Sequence, residues 1–136
     1  MEQLLKINFP AKADRLCLIR ALVKQSIESA GCSHELADRL VIAVNEACMN
    51  VIQHAYKGQE TGEILLEILN NGENLIFRLE DAAEPVNLDC IKPRNLDEIR
   101  PGGLGTHFIR EIMDNCEMGH LEGDRGNYLR MIKKIK

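Results

Sequence analysis

Two stretches of this chain carry residue types that do chemistry. In Glu46-Ala-Cys-Met-Asn50-Val-Ile-Gln-His54-Ala-Tyr56 a carboxylate, a carboxamide and an imidazole recur every fourth residue. On an α-helix that spacing stacks Glu46, Asn50 and His54 on successive turns of one face. Their neighbours Val41, Ile42, Val44, Val51 and Ile52 are those of a core helix. Asparagine is a poor helix-interior residue, and a Glu and an Asn facing apolar surroundings need partners or a task. Read alone, the stretch also fits a helix with one wet edge. The second stretch is Arg100-Pro-Gly102-Gly103-Leu104-Gly105-Thr106, followed at once by His107-Phe108-Ile109-Arg110-Glu111-Ile112-Met113. Phe108, Ile109, Ile112 and Met113 form an amphipathic helical stripe. Glycines opening a helix admit a ligand close to the backbone, and the free N–H groups there favour an anion such as phosphate. The cluster lacks the Lys-Ser or Lys-Thr of a P-loop. On its own it is weak evidence for phosphate, because Gly-Gly is also a common turn.

Between these stretches, Leu75-Ile-Phe-Arg-Leu-Glu-Asp81 is an apolar strand ending in two acids. An acid there often only starts a turn. The order is more specific than its parts: Glu-x-x-x-Asn on a helix, Asp at a strand end, a long irregular segment, then Gly-Gly-Leu-Gly starting a helix. That order resembles the GHKL ATPases, whose fold serves gyrase-type, chaperone-type and histidine-kinase ATP-binding domains. The wording of Asn-Glu-Ala-Cys-Met-Asn-Val-Ile-Gln-His-Ala-Tyr and Gly-Gly-Leu-Gly-Thr-His-Phe-Ile-Arg-Glu-Ile-Met-Asp is similar to the bacterial anti-sigma-factor serine kinases of the partner-switching type. The resemblance spans nearly the whole chain.

The resemblance implies a Bergerat-type ATP-binding fold using ATP and Mg²⁺. Asn50 would offer its carbonyl oxygen to Mg²⁺, a metal that takes hard oxygen ligands and keeps most of its waters and substrate phosphates. Asp81 would accept a hydrogen bond from the adenine amino group. The box Arg100, Gly102, Gly103, Leu104, Gly105 and Thr106 would wrap the phosphates. Glu46 would act as general base for a serine hydroxyl on a protein substrate. One position departs from the family's Asp-x-Gly: Ala83 stands where glycine is expected. A left-handed conformation there would cost alanine on the order of 1 kcal/mol.

The implied function is an ATP-dependent protein-serine kinase in transcription regulation. It would phosphorylate an anti-sigma-factor antagonist of the STAS type and sequester a sigma factor. The competing reading, to which Ala83 lends weight, is a non-catalytic module that holds a sigma factor or another regulator with little or no nucleotide. A detached histidine-kinase catalytic domain ranks last, because no phospho-accepting helical hairpin precedes the first strand. The resemblance also raises a homodimer, which no stretch of the sequence specifies.

With 136 residues, 45% hydrophobic and 28% charged, the chain reads as one domain, residues 1–136, with an ordinary core. No apolar run approaches the roughly 20 residues of a membrane span, and no leader pattern opens it. The net charge of −4 argues against direct nucleic-acid binding. The five cysteines, Cys17, Cys32, Cys48, Cys90 and Cys116, are never spaced Cys-x-x-Cys, which points to reduced thiols and a cytoplasmic home. Cys17 and Cys48 fall in helical apolar stripes and read as core thiols.

The elements that position these residues follow from periodicity. Leu5, Ile7 and Phe9 alternate in a first strand that Pro10 ends, and residues 13–29 form a helix stopped near Gly31. Ser33 caps a second helix running to about Tyr56. Strands around Ile64–Ile68 and Leu75–Leu79 flank an Asn70-Asn71-Gly72 hairpin turn. Residues 82–101 are too long for a routine connection and carry Lys92, Arg94 and Arg100, suited to phosphate. After the glycine-started helix, residues 116–121 and 127–135 make a second hairpin about Gly123–Gly126. The expected fold is an α+β two-layer sandwich, a mostly antiparallel sheet with helices on one face.

Overall fold

The computed structural model describes residues 1–58, 61–84 and 103–136. β1 (Glu2–Pro10) leads through a single 3₁₀ turn into α1 (Leu16–Ser29) and α2 (His34–Asn50). β2 (Glu63–Asn70), β3 (Asn74–Asp81), α3 (Gly103–Ile112), β4 (Asn115–His120) and β5 (Asn127–Lys134) follow. The strands form one sheet in the order β1-β2-β3-β5-β4, and every neighbouring pair is antiparallel. This is the α/β two-layer fold expected from the sequence.

Period-2 alternation in the strands and a helical stripe in α1 and α2 meet in one core. Ile64, Leu66 and Ile68 of β2, Leu75, Phe77 and Leu79 of β3, and Met131 of β5 are buried against Leu16, Ile19, Val23 and Ile27 of α1 and Ala37, Leu40, Val44 and Cys48 of α2. The Cys48 thiol is pushed up to about 12 by burial, so it stays neutral. On the opposite sheet face Ile76 stands in register between Leu69 and Ile132, which explains its burial away from the helices.

Local chemistry sets the element ends. Ser33 Oγ accepts the Leu36 N–H at 3.2 Å, the expected cap of α2. At the β2–β3 turn, Asn71 Oδ1 accepts from the N–H groups of Glu73 and Asn74, while Gly72 takes a φ of 96°. Across the exposed seam of α1 and α2 run Arg20–Asn45 and Lys24–Asp38, each at 3.0 Å. Such exposed pairs contribute little stability.

Four sequence expectations need correction. Cys17 is exposed, not a core thiol, because α1 turns Leu16 and Ile19 inward instead. Ile42 is 50% exposed and Phe108 43% exposed; each lies at the solvent edge of its stripe, whereas Ile109, Ile112 and Met113 are buried. The second helix also does not stay α-helical to Tyr56. From Val51 to Ala55 it widens into a π turn, in which Tyr56 N–H donates to the Val51 carbonyl at 2.9 Å. His54 therefore leaves the line of Glu46 and Asn50, and its side chain is exposed. Lys57, with φ 54°, and Gly58 then end the helix.

Candidate functional site

Glu46 and Asn50 lie one turn apart in the last part of α2, both half-buried. Ala47 and Cys48 between them are fully packed in the core, so the helix backbone is fixed and the two polar side chains share its outer edge. The α-to-π switch falls directly after Asn50. π segments that interrupt α-helices frequently occur at functional sites.

Asp81 ends β3, and its side chain is buried at 7% exposure. Among the described residues only Asn127, at 5%, is another buried polar or charged side chain, and the two are bonded. Asn127 opens β5 directly opposite Asp81 in the strand register. Its Nδ2 donates to Asp81 Oδ1 at 2.9 Å and to the Glu84 carbonyl at 3.2 Å. The Ala83 N–H donates to the same Oδ1 at 3.0 Å. Burial raises the Asp81 carboxyl above its ordinary range, and the Asn127 side chain and the Ala83 and Asn127 N–H groups oppose that rise. The result is a buried acceptor whose Oδ1 takes two of these donors. It suits a ligand that presents an N–H donor.

Backbone approach completes this corner. Gly126 adopts a φ of 147°, and a Cβ added there would lie 1.8 Å from the Asp81 carbonyl oxygen. Only glycine lets β5 begin this close to the end of β3.

Ala83 keeps an ordinary backbone conformation. It is buried, and among the described residues Lys57 alone of the non-glycines has a positive φ. The turn after Asp81 is closed by the Asp81 side chain on the Ala83 N–H, in a conformation alanine adopts freely. Ala83→Gly is therefore expected to leave nucleotide affinity unchanged and to lower stability by about 0.4–1 kcal/mol, through greater freedom of the unfolded chain. Calorimetry and chemical denaturation of the two proteins check both halves.

Gly103, Leu104, Gly105 and Thr106 form the first turn of α3, the helix opened by glycines that the sequence suggests, and α3 packs on α2. Arg100 and Gly102, with Lys92 and Arg94, lie outside the described residues. Among the described residues no group of three or more His, Cys, Asp or Glu could hold a metal. A Mg²⁺ ion on Asn50 would thus draw its remaining ligands from phosphate and water, which is the pattern this cation prefers.

Sequence reasoning missed Asn127 and the full part of Tyr56. Asn127 reads as the first residue of a hairpin strand, with nothing local to mark its side chain; only the register of β3 with β5 brings it to Asp81. Tyr56 was visible as the last letter of the Glu46 motif, but its hydroxyl partners, the Glu63 carbonyl at 2.6 Å and the Ala82 N–H at 2.8 Å, are distant in sequence.

Residues 9–133 match the histidine kinase-like ATPase domain family. The serine-protein kinase RsbW of Listeria monocytogenes is 34% identical over 131 residues, covering 90% of this chain and 83% of that protein. The serine-protein kinase RsbW of Bacillus cereus is 31% identical over 129 residues, covering 88% and 79%. Among solved structures, the SiaB-SiaC complex from Pseudomonas aeruginosa superposes with a TM-score of 0.70 at 15% identity, covering 98% of this chain and 91% of that one. That likeness is one of fold. With a buried acid at the end of β3, a Glu-x-x-x-Asn edge on α2 and these relatives along its length, the chain belongs to the histidine kinase-like ATPase domain family, among the serine-protein kinases of the RsbW kind.

Proposed function

We propose that this protein is an ATP-dependent serine kinase that phosphorylates a small anti-sigma-factor antagonist and holds a sigma factor when the antagonist is phosphorylated. The observation that carries the reading is the Asp81–Asn127 pair, a buried acceptor of the kind an adenine amino group needs. Glu46 accepts the proton of the attacking serine hydroxyl, a role that its half-buried place one turn from Asn50 supports. Asn50 would hold Mg²⁺, which when bound would neutralise phosphate charge. The glycine-opened turn at Gly103–Thr106, together with Arg100 and Gly102, receives the phosphates through backbone N–H groups. Leu104 belongs to the same turn.

The relatives named as serine-protein kinases support the substrate class, and the neighbour solved as a complex supports a protein partner for this fold. The alternative, a module without catalysis, drew on Ala83, and the ordinary backbone conformation there speaks against a backbone penalty at that position. No helix among the described residues is long and apolar enough to cross a membrane, in keeping with a cytoplasmic regulator. A homodimer is part of the proposal only by likeness to the family.

Gel filtration with a sigma factor and an antagonist from the same genome tests the switch. Unphosphorylated antagonist should displace the sigma factor, and ATP with Mg²⁺ should restore the sigma complex. A sigma factor that elutes alone under every nucleotide condition would contradict the sequestering half of the proposal.

A further inference from the structure

Tyr56 stands where the helix carrying Glu46 and Asn50 meets the strand carrying Asp81. The π turn brings its ring over Gly62, where a Cβ would lie 2.2 Å from Tyr56 Cε1, so glycine makes the seat for the ring. β2 and β3 pair from Ile64 opposite Asp81 upward. One residue beyond that pair, the Tyr56 hydroxyl donates to the Glu63 carbonyl at 2.6 Å and accepts the Ala82 N–H at 2.8 Å. It takes the place of a direct rung between the two strand ends and holds them apart by the width of one oxygen. Burial raises the phenol above its ordinary range, so it remains a donor at physiological pH.

We propose that Tyr56 is a positioning residue for nucleotide binding: its hydroxyl fixes the end of β3, and with it Asp81, relative to the end of α2 that carries Asn50. A nucleotide must meet both ends at once, its base at Asp81 and its phosphates near Asn50. An error in their spacing reduces affinity without touching either contact group. The inference rests on the nucleotide reading of the site.

Tyr56→Phe keeps the ring on Gly62 and removes only the hydroxyl. Without nucleotide, amide exchange at Ala82 should quicken, because its N–H loses its acceptor. By calorimetry the dissociation constant for Mg·ATP should rise about tenfold, the scale of one well-placed hydrogen bond. In an Asp81→Asn background the same change should raise it less than about twofold, because the contact that Tyr56 positions is already lost. Equal affinity of Tyr56→Phe and the parent would overturn the inference alone, and so would the same fold-loss in both backgrounds. Failure of the unaltered protein to bind Mg·ATP would remove the nucleotide reading and the inference with it.

Discussion

Replacing Glu46 with glutamine is expected to slow phosphoryl transfer by roughly 10²-fold or more while nucleotide affinity stays close to that of the parent. The size follows from the usual weight of a positioned general base. The selectivity follows from structure. Glutamine preserves the length and polarity of a half-buried side chain on a helix whose adjoining residues, Ala47 and Cys48, are locked in the core. Nothing in the substitution disturbs Asn50 or Asp81, so binding persists and only proton acceptance is lost. Positioning and charge neutralisation carry most of phosphoryl transfer, which is why activity should fall and not vanish. Single-turnover transfer measured beside calorimetric ATP binding separates the two. Full transfer by Glu46→Gln would confine Glu46 to orienting water or metal.

Asp81→Asn should weaken adenine nucleotides by roughly 10- to 100-fold, the cost of setting a buried donor against the adenine amino donor. The direction of the new amide is not free. Asp81 Oδ1 accepts from both Asn127 Nδ2 and the Ala83 N–H, which favours an amide that keeps its oxygen on these donors and replaces the other acceptor oxygen with a donor. The same substitution should leave the nucleotide-free protein at least as stable at neutral pH. Burial raises the folded carboxyl above its unfolded value. A group shifted that way contributes stability below its ordinary range and loses it as pH rises through the folded value. Asparagine removes that loss, so its advantage in thermal melts should shrink as pH falls into the ordinary carboxylate range. Unchanged calorimetric affinity would remove Asp81 from the base-binding site.

Much of this was legible in the sequence because the signals were local. Alternation in Ile64, Leu66 and Ile68 gave β2, Ser33 gave the start of α2, and Asn71-Gly72 gave the first hairpin. Spacing likewise put Glu46 and Asn50 on one helical edge. His54 failed the same argument because residues 51–55 adopt five-residue hydrogen bonding, which no side-chain pattern in the stretch announces. Ile42 and Phe108 misled because apolar type was read as burial, although single exposed apolar side chains are common. Asn127 and the partners of Tyr56 were out of reach for a different reason. Their roles depend on strand register and on groups far along the chain, and both emerge only when β2, β3 and β5 are paired.

The central claim is that this chain moves the γ-phosphoryl group of ATP to a serine on a protein partner with Glu46 as base. Incubation with γ-labelled ATP, Mg²⁺ and a single-domain antagonist from the same genome tests it most directly. The account predicts label on one serine of the antagonist, in amounts that fall by roughly 10²-fold with Glu46→Gln. An antagonist that forms a complex with the protein yet stays unlabelled while ATP is bound would contradict it.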